Sequence, residues 1–174
     1  SLYTGLMRRE ADAPSKVVLD FPREGHLYEV MTNRYIGHGR RFDHDLATGE
    51  PVKAGLPTLE GKSINLAQDS VSGMALFALM PYKIADVSVD AESARQGGQL
   101  KVAVKVEVEG AAPGKHVLHL DVRDPEGRQA EPYCRNIVTQ NGSWEGTLPL
   151  ALNEMTGRWN ISVREAVSGL ASST

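Results

Sequence analysis

From Leu100 to Glu109 the sequence alternates without a break. Leu100, Val102, Val104, Val106 and Val108 share one parity, and Lys101, Ala103, Lys105, Glu107 and Glu109 share the other. Side chains of an extended chain point alternately to opposite faces, so this segment is a strand with one packed and one wet face. The same period returns in Leu118, Leu120 and Val122, in Trp144, Leu148 and Leu150, and in Trp159, Ile161 and Val163. Between these runs lie Asp124-Pro125-Glu126-Gly127, where proline presets a type I turn, and Asn141-Gly142, which supplies the positive φ angles of a two-residue hairpin turn. The pattern predicts antiparallel strands over Lys115–Arg123, Pro132–Thr139, Ser143–Leu152 and Gly157–Glu165, with hairpins at the turns. No helical stripe persists over 11 residues, and Asp90–Arg95 could form only a short helical turn.

The first half is less regular. Ser1–Arg9 fits no single period well, whereas Lys16–Phe21 alternates and Pro22-Arg23-Glu24-Gly25 reads as a turn leading back through Gly25–Thr32. Gly37–Pro57 has loop composition, Leu59–Leu66 resumes strand character, and Met74–Met80 suits a strand covered on both faces. The expected fold class is all-β, with two β-sandwich-like units spanning 1–83 and 84–174. The regular strand spacing of the second unit predicts an immunoglobulin-like sandwich without its disulfide.

Bulk properties narrow the function classes. Hydrophobic residues make up 41% of the 174, enough for a packed core. The net charge of -3, with no basic tract beyond Arg8-Arg9 and Arg40-Arg41, argues against a nucleic-acid partner. No apolar run approaches the roughly 20 residues of a membrane-spanning helix. Cys134 is the single cysteine and reads as a small core side chain on a strand. The start at Ser-Leu-Tyr, without an initiator Met or signal peptide, is what a piece of a longer, exported protein would show.

Candidate sites are sparse. His38, Asp43, His44 and Asp45 offer imidazole and carboxylate ligands within the glycine-rich loop, but their spacing matches no established motif, so no metal and no cofactor is assigned. His116 and His119 are an odd number apart and fall on opposite faces. Asp121, Asp124, Glu126, Glu131 and Glu165 read as turn or water-facing carboxylates, and neither a Gly-x-Ser-x-Gly elbow nor a His-Glu-x-x-His pair occurs. The expectation is a chain that is not an enzyme. Sugar rings stack on exposed aromatics, which makes Trp144, Trp159, Tyr35 and Tyr133 the candidate carbohydrate-binding residues, although a tryptophan in phase with Leu or Ile is ordinarily core.

The runs Phe21-Pro22-Arg23-Glu24-Gly25-His26-Leu27-Tyr28-Glu29-Val30, Tyr35-Ile36-Gly37 and Ala75-Leu76-Phe77-Ala78-Leu79-Met80-Pro81-Tyr82 resemble the β-rich C-terminal regions of bacterial family 42, β-galactosidase-like glycoside hydrolases. The second half, with His116-Val117, Asp124–Gly127, Tyr133, Asn136 and Leu150–Trp159, resembles the immunoglobulin-like modules of such multidomain proteins. The resemblance implies a non-catalytic accessory module of a larger carbohydrate-acting protein, with the catalytic domain of the parent chain as its partner. Its alternative is a carbohydrate-binding module using exposed aromatics.

Overall fold

The computed structural model describes residues 1–7, 16–45 and 74–174; the expected strand Leu59–Leu66 lies outside them. The described chain is all-β, in three antiparallel sheets, and divides into two compact units, Ser1–Lys83 and Ile84–Thr174.

The first unit holds β1 (Leu2–Met7), β2 (Lys16–Glu29), β3 (Arg34–Asp45) and β4 (Met74–Met80) in one sheet of order β1-β4-β2-β3. One face buries Leu19, Phe21, Leu27, Ile36, Phe42, Ala75, Phe77 and Leu79 as a single apolar cluster, with Leu2 and Leu6 packed against it. The expected turn at Pro22–Gly25 is instead a bulge within β2, because both Lys16–Asp20 and Gly25–Glu29 pair with the same strand, β3. Arg40 Nε, the β3 residue opposite the bulge, donates to Phe21 O at 2.9 Å and to Asp20 Oδ1 at 3.2 Å. Where the bulge closes, Gly25 is required by contact: a β-carbon there would lie 2.7 Å from Met80 O. The expected loop at Gly37 is strand as far as Asp45, with Gly37 and Gly39 opposite Leu27 and Gly25. Glycine inside a strand marks close backbone approach as readily as a loop.

The second unit holds β5 (Lys83–Ala91, its first residue in the other unit), β6 (Gln99–Glu109), β7 (Val117–Arg123), β8 (Arg135–Val138), β9 (Ser143–Pro149), β10 (Asn160–Glu165) and β11 (Ala171–Ser173). They form a three-stranded sheet β5-β6-β9 and a four-stranded sheet β11-β10-β7-β8. The alternation read from the sequence is the burial seen: Leu100, Val102, Val104 and Val106 are buried on β6, Leu118, Leu120 and Val122 on β7, and Ile161 and Val163 on β10.

Three expectations change here. Asn141 and Gly142 adopt positive φ, 50° and 76°, and close the expected two-residue turn, with Gln140 N donating to Ser143 O at 2.8 Å and Ser143 N to Gln140 O at 3.0 Å, but the pairing does not extend into the strands on either side. β8 pairs with β7, and β9 pairs with β6 in the other sheet. The turn is further tied by Gly142 N donating to Gly114 O at 2.9 Å and Val106 N donating to Gly142 O at 2.7 Å, and the chain crosses between sheets at this point. The strand expected from Pro132 begins only at Arg135, because Glu131–Tyr133 form a 3-10 turn that accommodates proline at its start. Cys134 follows that turn half-buried, its sulfur accepting from Val122 N at 3.3 Å, and is therefore not a plain core residue of a strand.

Candidate functional site

A cleft of about 910 Å³ opens at one end of the second unit. Its walls come from the β5–β6 connection, with Arg95 and Gln96, and the β9–β10 connection, with Leu150, Glu154, Arg158 and Trp159. The two connections are tied by backbone bonds: Gly97 N donates to Ala151 O at 3.1 Å and Leu150 N to Gly98 O at 2.9 Å. Gly97, at φ +70°, lies under Leu152, whose Cδ2 would be 2.4 Å from a β-carbon there. Leu152 itself is 84% exposed.

Tyr133 anchors the second wall. Its hydroxyl donates to the Glu154 carboxylate and accepts from Ala151 N at 3.3 Å, while its ring meets Trp159 edge-on at 6.0 Å and 74°. Burial, then the Glu154 carboxylate, pushes the Tyr133 phenol above its usual range. Trp159 Nε1 donates to Met155 O at 3.0 Å, and the Gln96 amide donates to Glu154 O. The cleft thus sets the Trp159 indole among guanidinium, carboxylate, amide and hydroxyl groups. Such a surface suits a neutral polyhydroxylated molecule or an apolar side chain of a partner.

The four candidate aromatics do not form one site. Tyr133 and Trp159 meet ring to ring, and of the two Trp159 lines the cleft. Trp144 does not line it: on the core parity of β9, its indole lies over Gly146, where a β-carbon would be 2.3 Å from Cζ2. Tyr35 belongs to the first unit, with its ring 5.2 Å from Tyr28 and its hydroxyl 3.0 Å from His26 Nδ1.

Glu165, expected to face water, is fully buried. It ends β10 in phase with Ile161 and Val163, a signal the sequence carried. Its carboxylate accepts from Val167 N at 2.9 Å, Ser168 N at 2.6 Å and Ser168 Oγ at 2.7 Å, and lies 3.2 Å from His116 Nδ1. His116 N donates to Thr139 Oγ1 at 2.9 Å, so the network ties the β10–β11 turn to the ends of β7 and β8. Burial alone would raise the Glu165 carboxyl, but the hydrogen bonds from His116 and Ser168 prevail and hold it below the usual 4.5. His119, three residues on, is exposed and 3.0 Å from Asn136 Oδ1.

Among the described residues no three His, Cys, Asp or Glu side chains gather as a metal set. His38 and Asp43 sit in β3, opposite His26 and Val18, and the side chains of His44 and Asp45 lie outside the described residues. The partner of His38 that the sequence reading missed is His26, directly across the strand pair, with ring centroids 4.6 Å apart.

No family model and no curated protein matches this chain. Solved structures similar to it include a putative beta-galactosidase from Bacteroides fragilis, at 13% identity and TM-score 0.36, covering 99% of this chain and 31% of that one. A Bacteroides uniformis beta-glucuronidase gives 9% identity and TM-score 0.33, over 99% and 25%. The Ruminococcus gnavus beta-glucuronidase with uronic isofagomine gives 16% and 0.30, over 99% and 33%. The chain spans a third or less of the length of these enzymes, and no residue role is carried from them.

Proposed function

We propose that this chain is a non-catalytic accessory module of a larger carbohydrate-acting protein, packing on the catalytic domain of its parent chain. The observation that carries this reading is the internal use of the aromatics that could stack on sugar. Trp144 covers Gly146, Tyr133 is bonded to Glu154, Trp159 is bonded to Met155 and abuts Tyr133, and Tyr35 is bonded to His26. Three strands against four, with the chain crossing sheets between β8 and β9, support an immunoglobulin-like second unit. Exposed Leu152, with Met155 at the cleft rim, supplies apolar surface for a neighbouring domain.

The second reading is direct carbohydrate binding in the cleft, favoured by the half-buried Trp159 beside Arg95, Gln96 and Arg158. A glycan-array and affinity-gel screen, run with hydrolysis assays on aryl β-glycosides, tests both. The accessory reading expects neither retention nor turnover. Retention that disappears in Trp159→Ala while the fold survives would replace it with the second reading, and turnover by the chain would overturn both.

A further inference from the structure

We propose that His26 and His38 form a two-histidine site for a divalent late first-row transition ion, such as Zn²⁺, Ni²⁺ or Cu²⁺, on the face of the first unit's sheet opposite its apolar cluster. The two residues are direct cross-strand partners in β2 and β3, so the sheet itself fixes their separation. Their ring centroids are 4.6 Å apart at an interplanar angle of 50°. With metal–nitrogen bonds of about 2.0–2.1 Å, two imidazoles on one tetrahedral ion hold their ring centres roughly 5 Å apart. The observed separation is close to that value, on strands whose pairing already sets the two histidines side by side.

The pair also carries an orienting contact. Tyr35 Oη is 3.0 Å from His26 Nδ1. When Nδ1–H donates to that oxygen, the lone pair resides on Nε2, the arrangement by which metal-bound histidines are held in one tautomer. His38 is exposed and His26 half-buried, so an ion can enter from solvent and complete its coordination with water. Imidazole donors select zinc, nickel and copper over magnesium and calcium, which prefer oxygen. This site is independent of the accessory role and of the cleft in the second unit.

The test is calorimetric titration of the tag-free chain with ZnCl₂, NiCl₂ and CuCl₂, and with MgCl₂ as the oxygen-preferring comparison. The expected result is saturable binding of one transition ion per chain and none of magnesium. His26→Ala or His38→Ala should each weaken it at least tenfold with the circular dichroism spectrum unchanged. Tyr35→Phe should weaken it by roughly tenfold, the effect of losing an orienting partner. His119→Ala and His44→Ala should leave it intact. Absence of binding, binding that survives both histidine substitutions, or binding lost in His44→Ala would overturn the assignment.

Discussion

Each unit places two polar side chains together, and the two pairs stand in opposite environments. In the second unit His116 and Glu165 are buried, and the carboxylate is surrounded by donors from the β10–β11 turn. In the first, His26 and His38 lie side by side on a half-open sheet face, with Tyr35 as an accessory contact. A buried charge must be satisfied in place, so every group around Glu165 is fixed by it, and the network acts as architecture. An open imidazole pair keeps water as an alternative partner and can exchange it for a ligand. An imidazole therefore reads as structure in one unit and as part of a site in the other, and solvent access is what separates the two roles.

The largest effect that could break this comparison is expected from Glu165→Ala. It removes the acceptor for Val167 N, Ser168 N and Ser168 Oγ and leaves His116 without its carboxylate partner. Breaking a buried pair at one end costs about 3–5 kcal/mol. Both tryptophans belong to the second unit, so the urea midpoint followed by tryptophan emission reports this loss directly. A loss under about 1 kcal/mol would show the network to be no more structural than an exposed pair.

Acid offers a graded version of the same test. Because folding holds the Glu165 carboxyl below 4.5, the native state binds its proton less readily than the unfolded chain does. Its contribution is fully present above pH 4.5 and is lost as the pH falls through the depressed folded value. Glu165→Gln, which cannot titrate, should therefore narrow the stability gap to wild type below pH 4.5, and urea midpoints across pH 3–6 would measure it. A gap that stays constant with pH would separate the carboxylate's charge from the stability of the turn.

How much of this could be read from the residues also differs between the units. In the second, strict parity in β6 and β7 predicted the buried rows, because a sheet packed on one face admits one register of apolar side chains. Asn141-Gly142 predicted a chain reversal, but not which strand β9 would pair with. Turn residues set local φ angles, whereas sheet membership is set by the pairing of β9 with β6, far away in sequence. Glu165 was legible as a position in phase with Ile161 and Val163 and was masked by its charge. In the first unit, Pro22–Gly25 has turn chemistry and forms a bulge, because the strands on both sides find the same partner. The His26–His38 pair emerges only from that bulged register, which no count along the chain supplies. The meeting of Tyr133 and Trp159, residues 26 apart, was equally hidden, although each is a candidate by itself.

The smallest expected effect sharpens the comparison from the other side. His38 is exposed, and its described contacts centre on the His26 ring. Truncating an exposed side chain away from caps, cavities and buried networks usually changes stability by no more than about 0.5 kcal/mol. His38→Ala should therefore leave the far-UV unfolding midpoint nearly where it is, in contrast to Glu165→Ala. If His38→Ala instead destabilised the chain by several kcal/mol, the histidine pair would be holding β2 to β3 across the bulge. The open pair would then be architecture as well, and solvent access would no longer separate site from scaffold.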